Sequence, residues 1–531
     1  MPSAHTSRST AVIQSLSVLS GSAVALTLLL PLTMTGCKAV GPDFVKPTVK
    51  TPIAYRSLGA GDGQPIKANP LVPTPEVLAT WWKQFNDPAL NSLMERAVNQ
   101  NIDLKVAAER VREARALRGV ADSARFPELN SNGSIGRSRQ SSNTGQPGIG
   151  NKDNNLFEAG LDASWEIDVF GGVRRGVEAA DNDLLASQED QRAVLVSVLS
   201  EIARNYIELR GFQQRAAVAE RTIKAQGETV SLTTSRLDAG IANELEVSQS
   251  KAQLATREAA IPLFRLGERQ AIYRLSVLLG SEPGTLVEEL SAVGPIPTLP
   301  PDISVGLPAD LLRRRPDIRA AERRIAAATA RIGVATSDLY PKFSLNGTFG
   351  LQSEEADKFF NMDSRFWSIG PRAQWSIFNA GRVRQNIAAA SSREKQQLLS
   401  FEQNVLTALE DVENSLTSLS FEQQRLTILN RATDANRRSL ELATDRYRNG
   451  LGDFLNVLDS QKELFDSEDQ LVQSQTSVAR SVISLYKALG GGWTEVEQPS
   501  AAATQAPAPN QAQTPAPVAP SETSQESPAT K

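Results

Sequence analysis

The sequence is nearly empty of the side chains that carry most enzymatic and metal chemistry. Among its 531 residues there is one histidine, His5, and one cysteine, Cys37. Both lie in or beside a leader-like N-terminus. The body of the chain therefore lacks Ser-His and Cys-His nucleophile pairs, histidine metal sites and internal disulfides. Carboxylate and lysine chemistry stay open, yet no motif asks for it, and nothing calls for an enzyme, a metal or a cofactor. An excess of one charge is missing too: 56 Lys and Arg face 60 Asp and Glu, a net of −4, so nucleic acid is not an expected partner. The apolar run Ala23 to Leu32 is too short to span a bilayer.

What the chain does contain is one pattern written twice. Arg446 to Gln461 reads RYRNGLGDFLNVLDSQ, and Arg236 to Lys251 reads RLDAGIANELEVSQSK, a parallel stretch 210 residues earlier (446 − 236 = 210). Each is a helix stop followed by a helix start. Gly450 stands where a C′ glycine closes one helix, and Asp453 where an N-cap opens the next. Gly240 and Asn243 take those roles in the first copy, with Glu246 completing a capping box. The match extends outward: SWEIDVFGGVRR at Ser164 meets QWSIFNAGRVRQ at Gln374, and GVADSARFPEL at Gly119 meets GVATSDLYPKF at Gly333. Two copies of about 175 residues fill most of the chain.

Taken in order, residues 1–36 read as a signal peptide, with Arg8 as the basic start and Ala23 to Leu32 as its core. Thr35 and Gly36 before the lone Cys37 resemble the lipobox of bacterial lipoproteins, with Met34 where Leu is usual. That resemblance implies lipid attachment at Cys37, and Lys38 in place of an Asp implies an outer-membrane destination. Residues 37–88 form an extended arm, rich in Pro and Gly from Gly41 to Pro75. Asp87 as N-cap and Pro88 at the first helical position open a helix whose apolar residues recur from Leu90 to Ala124.

Residues 89–280 are the first strand-helix repeat, 281–306 a proline-rich connector, 307–493 the second repeat and 494–531 a disordered tail with little apolar content. Within the first repeat the period changes from 3.6 to 2: Phe157, Ala159, Leu161, Ala163 and Trp165 alternate with polar neighbours, facing a weaker strand from Leu129 to Arg139. In the second, Phe343, Leu345, Phe349 and Leu351 share a face, as do Trp367, Ile369, Ala373, Trp375 and Ile377. Gly172 to Ala239 and Arg382 to Asn449 each promise a helix about 100 Å long. Gly211 and Gly227 mark candidate bends in the first. The returns are Glu244 to Leu279, with a kink at Pro262, and Asp453 to Leu489. The run Arg313-Arg314-Arg315 invites a phosphate-binding reading, but a solvated helix end with Asp317 capping the next helix is the expectation.

The fold class is therefore mainly α with a membrane β-barrel portion. Each chain gives four β-strands and long α-helices in two internal repeats. Four strands cannot close a membrane barrel, which needs about eight, and a lipid-facing edge is not tolerated. Three chains sharing one barrel give twelve.

The lipobox, the paired strand-helix repeats, the connector LPADLLRRRPDI and RYRNGLGDFLNVLDSQ together resemble the TolC-type outer membrane factor family, in its lipoprotein branch of drug-efflux channels. The resemblance implies a homotrimeric channel-tunnel, lipid-anchored in the outer membrane and extending into the periplasm. It also implies a periplasmic adaptor protein and an inner-membrane pump as partners. It places a periplasmic aperture at Arg446, Tyr447, Leu455 and Asp459, with Arg446 and Asp459 close enough across the turn to pair. Adaptor-docking tips fall at Gly240, Ile241, Gly450 and Leu451. A type I protein secretion pump is the alternative client, and a soluble periplasmic coiled-coil scaffold is the alternative from another class.

Overall fold

The computed structural model describes residues 38–49, 52–56, 68–69, 74–139, 141, 153–297, 303–304 and 308–493. The expected signal peptide at residues 1–36, Cys37, residues 494–531 and most of the loop from 140 to 152 lie outside the described residues. After a short helix Pro75–Ala79 and a 3-10 turn Trp81–Phe85, the first copy forms α1 (Pro88–Gln100), α2 (Ile102–Ser123), β1 (Glu128–Arg139) and β2 (Asp153–Ile167). It continues with α3 (Gly172–Asp238), α4 (Glu244–Glu258) and α5 (Ile261–Leu278). The second copy forms α6 (Pro316–Ser337), β3 (Lys342–Ser353), β4 (Arg365–Gln374), α7 (Arg382–Arg448) and α8 (Phe454–Ala488). The four strands make one antiparallel sheet in the order β1-β2-β3-β4. Two further strands of two residues, Ala68–Asn69 and Ile303–Ser304, pair in parallel between arm and connector.

Both outgoing helices, α3 and α7, run 67 residues without a proline, about 100 Å each. They end alike. Gly240 and Gly450 each adopt φ 70°, and Ile241 and Leu451 donate backbone N–H bonds of 2.8 Å to Arg236 O and Arg446 O. Asn243 and Asp453 then cap the returning helices through Glu246 N–H at 3.0 Å and Leu455 N–H at 3.1 Å. A hairpin tip thus lies one long helix away from the sheet in each copy.

The core gathers where the two copies cross. α3 is the hub, packing against α2, α4, α5, α6 and α8. Its Leu199, Ile202 and Tyr206 join Trp81, Phe85 and Tyr486 in one buried cluster, with Trp81 stacked on Tyr486 at 5.3 Å. Gly492 N–H donates to Leu78 O at 2.8 Å, and the guanidiniums of Arg192 and Arg319 lie 5.0 and 5.1 Å from the Trp493 ring.

Several local expectations are corrected. The helix expected from Leu90 to Ala124 is two, because Asn101 leaves the helical region with ψ 132°; its side chain caps Leu104 N–H at 3.0 Å and donates to Leu278 O at 2.8 Å. The return expected as one helix kinked at Pro262 is broken at Ala259 and Ala260, with the proline at the start of α5, where its missing N–H costs nothing. α3 runs unbroken through Gly211 and Gly227; Gly211 serves close packing instead, since a Cβ there would lie 2.7 Å from the Thr476 hydroxyl. β4 ends at Gln374, so Trp375 and Ile377 lie beyond it. Arg315 is not a solvated helix end: its side chain is 12% exposed and held by Asp317 at 2.7 Å and Asp411 at 3.0 Å. Asp317 does not cap α6 from the N-cap position, which Arg315 occupies.

Candidate functional site

The strand registers sort the sheet into two faces. Ile135 stands opposite Phe157, Leu161 opposite Phe349, Phe349 opposite Trp367, and Gly347 opposite Ile369, all on one side. Asp162 opposite Thr348 and Ser368, and Glu166 opposite Ser344 and Arg372, make the other side polar. A soluble sheet buries its apolar face, yet here Trp367 is 72% exposed and Ile369 69% exposed. The outer edges of β1 and β4 have no strand partner among the described residues. A bare apolar face suits lipid, and a free edge does not.

Where sheet meets helices, the start of the arm is clamped. The Arg175 guanidinium, its side chain 5% exposed, donates to Val40 O at 3.2 Å and to the Asp43 carboxylate at 2.5 Å. Gly41, at φ 91°, presses on Gly333 so closely that a Cβ would lie 2.4 Å from the Gly333 Cα. Hydrogen bonds from Lys38 and Arg175 lower the Asp43 carboxyl to about 2. The residue next to Cys37 is therefore tied beside the Phe170–Tyr340 stack, whose rings lie 4.6 Å apart at the junction of the two copies. Cys37 itself is outside the described residues.

At the tips, Ile241 and Leu451 are 66% and 70% exposed. Of the four residues expected at an aperture, Tyr447 is buried: its hydroxyl donates to Glu246 Oε2 at 2.6 Å, and the Arg236 guanidinium lies 4.6 Å from its ring. Burial first, and the Glu246 carboxylate second, raise its phenol to about 12. Glu246 thus serves the neighbouring hairpin and not the capping box expected of it. Leu455 is half exposed, and Asp459 is exposed. The expected Arg446–Asp459 pair does not form among the described residues; Arg446 donates instead to Leu451 O at 3.2 Å, closing its own turn.

Sequence reasoning missed Glu246, Arg236 and the Gln461 to Thr229 bond of 2.8 Å, which join the two hairpins side by side. A signal for one of these was present. When the copies are aligned at the same offset, Tyr447 stands where the first has Leu237, and Glu246 stands where the second has Asn456. Two polar departures from the repeat point at each other.

A sheet made for lipid on one face, joined to helical hairpins about 100 Å long that end in exposed tips, defines the channel-tunnel class of outer-membrane proteins. The chain belongs to the outer membrane efflux protein family, whose model matches residues 93–281 and 307–491, the two copies in turn. It is similar to the solvent efflux pump outer membrane protein SrpC of Pseudomonas putida, with 32% identity over 87% of this chain and 97% of the relative. A probable outer membrane lipoprotein, SilC of Salmonella typhimurium, is 30% identical over 87% of this chain and 97% of its own length. Among solved structures, the outer-membrane channel OprN superposes with a TM-score of 0.78 at 36% identity, covering 86% of this chain and 99% of that one. The protein is an outer membrane efflux channel.

Proposed function

We propose that three copies pool their sheets into one twelve-stranded barrel in the outer membrane, and that the assembly is the exit duct of a three-part pump for small molecules. The observation that carries this reading is the sheet with a bare apolar face and two free edges, since four strands are about half of the smallest closed barrel. The copies meet along flanks left bare in the single chain, with Val106, Leu117 and Val120 on α2 and Leu399, Leu406 and Phe421 on α7. A periplasmic adaptor docks on the Gly240-Ile241 and Gly450-Leu451 tips, an inner-membrane pump supplies the energy, and the duct does no chemistry of its own. Cys37 carries the lipid anchor, and the Arg175 clamp holds the following residues beside the sheet.

Arg446, Tyr447, Leu455 and Asp459 form the periplasmic aperture. Tyr447 acts from within the wall, where its bond to Glu246 keeps the second hairpin against the first. Asp459 and Leu455 face out of the chain, and threefold symmetry gathers their copies around one axis. Like charges there repel, a cost reduced by a captured cation or by Arg446 of a neighbouring copy. Leu455 supplies an apolar ring that excludes hydrated solutes.

Unheated electrophoresis in detergent tests the assembly: a trimer band that collapses on boiling is expected, and a lone subunit with no sheet in its spectra overturns the reading. Cells without the protein should become more susceptible across a panel of exported compounds. For the aperture, Asp459→Ala and Arg446→Ala should each raise planar-bilayer conductance, and no change in either removes the assignment. For the tips, Leu451→Glu should abolish crosslinking to the adaptor.

A further inference from the structure

The helical wall has two sides of different chemistry. At about 100° per residue, Ala193, Ser197 and Arg204 share one face of α3, while Leu199, Ile202 and Tyr206 on the opposite face enter the Trp81 cluster. On α7, Asp411, Asn414, Ser415 and Ser418 back onto Val412, Leu416 and Leu419. On α8, Ser477, Ser481 and Ser484 back onto Val482 and Tyr486. The Trp81 cluster brings with it the bulk of residues 74–100 and 282–290, which would fill a duct if turned inward. The serine side is therefore the inner wall of the proposed tunnel.

On that side α3, α7, α8 and the start of α6 enclose a cavity of about 490 Å³. A second, of about 440 Å³, continues from it and shares Arg204, Asn414, Ser415 and Ser484. Most of the charge along it is already spoken for. Arg315 holds Asp317 and Asp411, Arg480 pairs with Glu208 at 3.2 Å, and Glu422 takes Arg425 at 3.5 Å and the Ser474 hydroxyl at 3.2 Å. Arg204 and Lys487 are exposed and form no ion pair among the described residues. The side chains of Asn414, Ser197 and Ser484 likewise make no hydrogen bond there, although helical serines commonly donate to the preceding turn, as Ser415 does to Asp411 O at 2.7 Å. Two cations and three neutral polar groups with free donors thus converge on one groove, outweighing the single negative charge left by the Arg315 trio.

We propose that this groove is a binding site for polyvalent oxyanions in transit, carboxylate or phosphate, held by Arg204 and Lys487 and oriented by Asn414, Ser197 and Ser484. The site rests on the duct reading, which makes it a threefold belt midway along the tunnel. Its openness to solvent suits a foothold that releases its occupant, because conduction requires binding weak enough to leave.

The test reconstitutes the trimer in planar bilayers and adds citrate or inorganic phosphate during single-channel recording. Concentration-dependent block is expected in the native channel. The double variant Arg204→Gln with Lys487→Gln should weaken that block by about tenfold, the loss of charge-assisted hydrogen bonds, and should shift the reversal potential in a salt gradient toward cations. Block by citrate alone narrows the ligand to carboxylates, and block by phosphate alone to phosphates; both outcomes support the site. If the double variant fails to form a heat-modifiable trimer, Asn414→Ala with Ser484→Ala reads the same groove without removing charge. Open channels that neither anion blocks, or block that the variants leave intact, overturn the site while the pore reading stands. Native protein that opens no channel overturns the pore reading itself.

Discussion

The first copy turns back in two pieces, α4 and α5, broken ahead of Pro262, whereas the second runs back as the single 35-residue α8. Their tips, in contrast, repeat each other almost bond for bond: the same φ at Gly240 and Gly450, the same 2.8 Å bond one residue later, and a capping Asn or Asp at matching positions. The duplication has been kept where backbone geometry alone decides the structure. It has diverged where one copy must touch the other, as when Tyr447 replaces the first copy's Leu237 and finds Glu246.

That contrast can be pressed hardest on the returning helices. Val472 aligns with Pro262 and is buried within unbroken α8. Val472→Pro should cost about 3 kcal/mol or more, through a lost helical bond and a clash. Pro262→Ala should change stability by less than about 1 kcal/mol, since it opens a helix that is already interrupted. Thermal unfolding in detergent measures both, and equal losses would erase the distinction.

A smaller effect is expected where the copies touch. Tyr447→Phe should cost about 1–2 kcal/mol, because it leaves the Glu246 carboxylate without its buried donor, and should raise channel conductance. The phenol also contributes a pH dependence. Its folded value of about 12 lies above the ordinary 10.0, so the stabilisation is complete below pH 10 and is lost as pH climbs through about 12. Native channels should loosen across that window, and Tyr447→Phe should lose less there than the native chain, with the buried phenols of Tyr206 and Tyr486, also raised to about 12, supplying the remainder.

The smallest and most symmetric effect belongs to the turns. Gly240→Ala and Gly450→Ala meet no neighbouring atom, so each costs only the left-handed backbone, about 1 kcal/mol. Matching falls in melting temperature are expected, and a marked inequality would show that one tip carries strain the other lacks.

Most of the architecture was legible because it rests on local periodicity. The proline-free runs, the alternation around Phe157 and Trp367 and the Gly240 and Gly450 stops each follow from a few neighbouring residues. What was not legible depends on residues far away in sequence. Asn101 breaks α1 from α2 partly for the sake of Leu278 O, 177 positions on. Arg315 looked like part of a solvated basic run until Asp411 and the end of α8 closed over it. The proposed aperture showed the same limit. Candidates for it could be chosen by resemblance, but the partner of Tyr447 lies 201 positions away, and local spacing paired Arg446 with a carboxylate where the structure gives it the Leu451 carbonyl.

The clasp around Trp493 has a kinetic consequence. Trp81 needs Tyr486, Leu78 needs Gly492, and the cations of α3 and α6 need the Trp493 ring, so the waist of the molecule draws on residues some four hundred positions apart. Such long-range closure is slow and comes last. A chain still being threaded through a membrane has delivered its strands and first hairpin long before the last residues of this seal arrive. It remains pliable enough to meet its sister copies, and stiffens only once synthesis and export have delivered the final helix.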